Sequence, residues 1–168
     1  MLAATGPQGG EEMHGFSDDV LVSAVRDDPG PADLLALFFT GSETSVGKGW
    51  EFVGRIFTRT DDRDADTTLA TRDAQLDAIH DWGIPDASRL NRLAGIRHPV
   101  LVANGDHDRM VPTKNSYLLA DRLPNARLKI YPDAGHGFLF QYANEFAAEV
   151  EAFLEDSAAE TLGPGSSQ

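Results

Sequence analysis

The stretch that decides the fold is Pro99-Val-Leu-Val-Ala-Asn-Gly-Asp-His-Asp-Arg-Met-Val-Pro112. Its first part, Pro99 to Ala103, is a short continuous apolar run rich in β-branched residues. Proline bounds it on one side and Asn104-Gly105 on the other, so it reads as a fully buried strand of a parallel sheet. Working outward, Pro112-Thr113 opens a helix through Tyr117, Leu118, Leu119 and Leu123, and Pro124-Asn125 stops it. Leu128-Lys-Ile-Tyr131 is a second strand. Gln141 to Glu155 is an amphipathic helix with Phe146, Val150, Phe153 and Leu154 at helical spacing. Strand, helix, strand, helix over Ile96–Glu155 predicts a parallel sheet with crossover helices.

Upstream, the pattern is helical. Val20, Leu21, Ala24 and Val25 form one apolar stripe within residues 17–26, and Leu34, Leu35, Phe38 and Phe39 form another within 31–40. Asp28-Pro29-Gly30-Pro31 separates them, with Pro31 and Asp33 suited to a helix start. The turn-rich link Gly41–Gly47 leads to a third helix containing Trp50, Val53, Ile56 and Phe57. After the charged stretch Arg59–Asp66, Thr67 to Trp82 reads as a fourth helix, ended by Gly83-Ile84-Pro85. Met1-Leu2-Ala3-Ala4 reads as the last residues of a strand, with Thr5–Gly10 a loop. The tail from Ser157, ending Gly-Pro-Gly-Ser-Ser-Gln168, is expected to be disordered.

Composition narrows the function classes. Twenty-seven acidic and 14 basic side chains give a formal net charge of −13. That charge disfavours phosphate backbones and anionic membranes, so neither a nucleic acid nor a membrane is an expected partner. There is no cysteine, which excludes disulfides and thiolate nucleophiles. No apolar run approaches the roughly 20 residues of a membrane helix. The N-terminus lacks the basic and apolar regions of a signal peptide, which makes a cytoplasmic location the default expectation.

Two loops leave strands at the carboxyl edge of the sheet, where ligands of open parallel sheets sit. They are Asn104–Asp108 and Pro132-Asp-Ala-Gly-His-Gly137. An aspartate and His136 can meet there. A carboxylate on one imidazole nitrogen fixes the tautomer and leaves the other nitrogen to deprotonate a nucleophile. Asp106 competes with Asp108 for that role, with satisfaction of loop amides as its other use. Ser42 and Ser45 read as turn residues or helix caps. Asp62-Arg-Asp-Ala-Asp66 with Asp73 copies part of a calcium loop, but Thr67 stands where glycine is needed, so it reads as a solvated turn. Phe38, Phe39, Trp50, Trp82, Phe138 and Phe140 are the aromatics that could line an acyl pocket, with core packing as their other use. Phe39, Trp50 and Phe138 are the candidate substrate contacts, Phe138 foremost because it follows His136 by two residues. Thr5, Gly6 and His14 lie on the loop into the helical region and are weaker candidates to face the site.

Pro99–Pro112, then Leu123-Pro-Asn-Ala-Arg-Leu-Lys-Ile-Tyr-Pro-Asp-Ala-Gly-His-Gly137, then a helix ending Phe153-Leu154, resembles the C-terminal third of α/β-hydrolases, which carry the acid before the histidine. The resemblance covers Leu93–Glu155 and implies an α/β fold: short parallel strands with flanking helices plus a helical cap. It divides the chain into a strand end and loop (1–14), a cap (15–92), a core carrying the acid and histidine loops (93–156) and a tail (157–168). It places the catalytic acid at Asp108 and the catalytic histidine at His136. It implies hydrolysis of a small, largely apolar ester or related carbonyl substrate by a Ser-His-Asp mechanism, with no cofactor and no metal. A cofactor-free haloperoxidase or perhydrolase is a close variant.

The chain departs from that pattern. No serine sits in a G-x-S-x-G elbow, no aspartate fits the equivalent elbow, and no oxyanion loop is present. The resemblance implies a truncated or mis-started product; the alternative is a catalytically inactive fragment, or one half of a split hydrolase whose partner is the missing N-terminal half. The open apolar sheet edge predicts marginal stability.

Overall fold

A computed structural model describes residues 1–162 apart from Ala4 and Arg59, with side chains through Ala158. The sheet is built around β2, Val100–Gly105, all of whose residues are buried. β2 pairs in parallel on one edge with β1, Leu2–Ala3 (Leu2 beside Leu101), and on the other with β3, Ala126–Tyr131 (Val100 beside Ala126, Gly105 beside Tyr131). The strand order is β1-β2-β3.

The alternation of side chains along β2 feeds two core clusters, one on each face. Val100 and Val102 pack with Leu119 and Leu123, which belong to or end the crossover helix Lys114–Arg122. Ala103 packs with Tyr131, Ala134 and Phe138, backed by Tyr142 and Phe146. A β-branched strand can fill both faces only because helices lie on both sides, and the continuous apolar run in the sequence records that demand.

Among the described residues, five helices precede β2. They are α1 (Asp18–Ala24), α2 (Pro31–Phe38), α3 (Glu43–Thr58), α4 (Leu69–Gly83) and α5 (Ala87–Asn91). A 3-10 turn, Arg92–Gly95, leads from α5 toward the sheet. α2 begins with Pro31, and Asp33 reaches back to accept the Gly30 amide at 2.9 Å. That amide holds the Asp33 carboxyl below the usual carboxylate range despite its burial. Thr68 caps α4 by accepting the Thr71 amide. α6 is Lys114–Arg122, α7 is Phe138–Gln141 and α8 is Ala143–Leu162.

Three sequence expectations shift. The link Gly41–Gly47 is helical from Glu43, because Ser42 Oγ accepts the Ser45 amide and starts α3 early. The helix expected from Gln141 begins at Ala143 as α8, and Gln141 instead ends the separate short α7. The disordered tail expected from Ser157 is instead helix to Leu162, since Ala158, Ala159 and Glu160 are good helix formers. The rest of that tail lies outside the described residues. None of the described helices is long and apolar enough to cross a membrane.

Candidate active site

The site forms where the loops after β2 and β3 meet. Those loops interlock through their backbones: the Asp106 amide donates to Tyr131 O at 3.0 Å and the His107 amide to Ala134 O at 2.9 Å. The approach is close enough that a Cβ on Gly105 would lie 2.1 Å from Ala134 O, so only glycine fits.

Asp108 is at the turn of the first loop, its side chain 0% exposed. One carboxylate oxygen accepts the Met110 and Val111 amides at 2.8 and 2.9 Å. The other faces His136 Nδ1 at 2.9 Å. These three contacts occupy both oxygens, which offsets the cost of burying the carboxylate. A carboxylate opposite Nδ1 makes Nδ1 the protonated nitrogen and leaves the Nε2 lone pair free to take a proton. The His136 side chain is 27% exposed, so its far edge is open.

Asp106, the competing acid, does other work. It accepts the Ala134 amide at 3.1 Å and pairs with His107 at 2.6 Å. Burial pushes its carboxyl up, but the hydrogen bonds from His107 and from the Ala134 and Asp133 amides outweigh that and leave it low.

The segment joining α2 to α3 crosses over His136. The Gly137 amide donates to Phe38 O at 2.6 Å, and the Phe38 ring stands 5.5 Å from the imidazole, centroid to centroid. A Cβ on Gly135 would come within 2.8 Å of Phe38 O. The glycines flanking His136 are therefore required by the Phe38 backbone overhead, and neither has a positive φ.

A cavity of about 460 Å³ opens beside His136. Met13, Phe16, Met110 and Val111 wall it, with Ile79 and Trp82 contributed by α4, and Thr5 is at its margin. The three aromatics expected as substrate contacts stand elsewhere. Phe138 is 1% exposed and belongs to the core cluster beneath the loop, because a residue two past His136 points into the sheet when α7 begins at once. Phe39 is buried against Phe52 and close to Gly49, and Trp50 is exposed on α3. Gly6 lines a separate groove, and His14 packs at a tilt against His80 with ring centroids 3.9 Å apart. Met13, Phe16, Met110 and Val111 escaped the sequence reading because none lies on a periodic stripe.

Neither loop serine reaches the imidazole in hydrogen-bonding terms. Ser42 Oγ donates to Asp133 at 2.5 Å, and Ser45 Oγ, fully buried, donates to Gln141 Oε1 at 2.7 Å.

With this geometry in place, the comparisons with known proteins agree on the fold. The sequence profile of the alpha/beta hydrolase fold matches residues 46–142, and the chain belongs to that family. An alpha/beta hydrolase fold protein from Chitinophaga pinensis superposes with a TM-score of 0.81 at 40% identity, over 91% of this chain and 55% of that one. The Caulobacter protein RutD, provisionally named a carbamate hydrolase, is 48% identical over 67 residues, 40% of this chain and 25% of that protein. A non-heme haloperoxidase from Rhodococcus erythropolis is 41% identical over 64 residues, 38% of this chain and 23% of that protein. The chain thus spans just over half of the solved relative, and its matches to the curated ones cover about a quarter of their length.

Proposed function

We propose that Asp108 and His136 are the acid–base half of a hydrolytic triad acting on a small, largely apolar ester or related carbonyl compound. The carrying observation is the 2.9 Å contact between His136 Nδ1 and the fully buried Asp108, beside an apolar cavity. In this reading His136 Nε2 takes the proton of a serine hydroxyl as its oxygen bonds to the substrate carbonyl carbon. The imidazolium, stabilised by Asp108, then gives that proton to the departing alcohol oxygen. Water hydrolyses the acyl intermediate by the same proton path in reverse. The walls of the cavity, Met13, Phe16, Ile79, Trp82, Met110 and Val111, favour an uncharged acyl group and exclude water from it. No serine of this sequence sits in a G-x-S-x-G elbow, so in this reading the nucleophile is contributed in trans to the Asp108–His136 pair.

A second reading is an inactive chain that binds such a half. It is favoured by the outer edge of β1, which no described strand pairs, and by Met1 and Leu2, which are 60% and 52% exposed. A groove of about 430 Å³ lies next to them.

Hydrolysis of p-nitrophenyl butyrate separates the two. The chain alone is expected to be silent. Mixed with the separately produced amino-terminal half of the Chitinophaga pinensis relative, it is expected to gain activity that His136→Ala lowers about 10³–10⁴-fold. Complex formation without hydrolysis supports the inactive reading. Hydrolysis that survives His136→Ala removes the triad assignment.

A further inference from the structure

We infer that Asp133, tied down by Thr40 and Ser42, is a positioning residue that sets His136 against Asp108. The inference rests on reading that pair as the acid–base device. Asp133 is in the turn leaving β3, three residues before His136, with φ +48°. Thr40 Oγ1 donates to one of its carboxylate oxygens at 2.7 Å and Ser42 Oγ to the other at 2.5 Å. Both donors lie on the segment between α2 and α3, more than 90 residues away in sequence (separations 93 and 91).

The tie continues as a closed ring. Ser42 Oγ accepts the Ser45 amide, Ser45 Oγ donates to Gln141 Oε1, and Gln141 Nε2 donates to the Asp133 carbonyl at 2.8 Å. On the far side of His136, the Gly137 amide donates to Phe38 O. The histidine is therefore bracketed, with Asp133 before it, Gly137 after it and Gln141 at the end of α7 all fastened to residues 38–45. The Ser42 and Thr40 hydroxyls hold the Asp133 carboxyl below the usual carboxylate range, so both hydrogen bonds are charge-assisted at neutral pH. Among the described hydrogen bonds, the imidazole's own is the one to Asp108, which cannot by itself hold the loop at a chosen height. The helical region thereby fixes where the imidazole stands, and a shift of residues 38–45 would be felt at Nδ1.

The test reads the full free chain, labelled with ¹⁵N-histidine. The low-field Nδ1 proton of His136, assigned by its loss in His136→Gln, reports the contact with Asp108. Amide exchange at Gly137 reports the bracket. Asp133→Gly keeps the positive φ at no steric cost and deletes the carboxylate. Asp133→Asn keeps one acceptor oxygen. The double variant Thr40→Val with Ser42→Ala removes the donors instead. In Asp133→Gly and in the double variant, the His136 resonance is expected to vanish and Gly137 exchange to rise about tenfold. Asp133→Asn is expected to keep the resonance, and the far-ultraviolet spectrum to stay unchanged. Retention of the resonance and the exchange rate in both deleting variants overturns the inference, as does an Asp133→Asn variant as impaired as Asp133→Gly. If Asp133→Gly fails to fold, the double variant gives the answer. Because no hydrolysis is read, loss of the resonance in the variants of a chain that stays silent even in complex with the amino-terminal half supports the clamp while sinking the general-base reading.

Discussion

Strand β2 and helix α4 sit at opposite extremes of burial. All six residues of β2 are buried, whereas Gly83 is the only buried residue in the fifteen of α4. Both carry apolar side chains. Those of β2 fill two core clusters, while Leu69, Ile79 and Trp82 on α4 stay 48%, 39% and 42% exposed. α4 is held by its ends: the Gly9 amide donates to Trp82 O, Trp82 Nε1 donates to Gly6 O, and Arg72 donates to Val25 O and pairs with Asp27. The contrast teaches that the same apolar letters serve two purposes here. In β2 they are the cohesion of the fold. In α4, Ile79 and Trp82 are the wall of a cavity, free to change with whatever occupies it.

Truncations break or sharpen that comparison. Leu101→Ala, at a side chain with no exposure, is expected to cost about 2–5 kcal/mol in urea unfolding followed by circular dichroism. Ile79→Ala on α4 is expected to cost below about 1 kcal/mol in the same assay, since the side chain is already partly in water. Equal losses at the two positions would abolish the distinction.

An intermediate effect is expected where the helical region meets the histidine loop. Ser45 is fully buried, accepts the Thr40 amide and donates to Gln141. Ser45→Ala leaves both partners unsatisfied and is expected to cost about 1–3 kcal/mol. A neutral result would show that water replaces the hydroxyl and that the two regions are less firmly joined than β2 and β3.

The smallest effect concerns the second aspartate–histidine pair. Asp108–His136 joins two loops and is sealed, whereas Asp106–His107 joins neighbours in sequence and His107 is 69% exposed. The Asp106 hydrogen bond and charge raise the His107 pKa above 6.5. A raised histidine pKa contributes stability that is fully present below about 6.5 and is lost as pH rises through the folded value. The exposure of the pair keeps that contribution within about 1 kcal/mol. His107→Gln is therefore expected to flatten a slight fall in the urea midpoint as pH rises above about 6.5. An unchanged slope in the variant would assign the pH dependence to another group.

The sheet was legible because burial on both faces leaves a signature that survives without an alignment. Pro99–Ala103 and Leu128–Tyr131 mark β2 and β3, whose paired ranges run Val100–Gly105 and Ala126–Tyr131. The helical starts at Pro31 and Thr68 were equally local matters of proline and capping chemistry. The pocket was legible only in part: Thr5 and Trp82, both candidates from the sequence, do line the cavity. Phe138, Phe39 and Trp50 are large and apolar, but size does not say which way a side chain faces. Met13 and Met110 line the cavity from segments with no helical or strand period. Asp133 looked like an ordinary turn residue, since its partners Thr40 and Ser42 stand more than 90 residues upstream.

By itself, the sequence determined the period of each element, the chain's affinity for a parallel sheet, and the two loops that carry Asp108 and His136. Those follow from short-range rules, in which a few neighbouring residues settle backbone conformation and burial. Only the tertiary structure decided which aspartate faces the imidazole, which apolar residues wall the cavity, and how residues 38–45 fasten the histidine loop. Those are contacts between groups distant in the chain, and their geometry comes from the packing of whole elements, which no local pattern encodes.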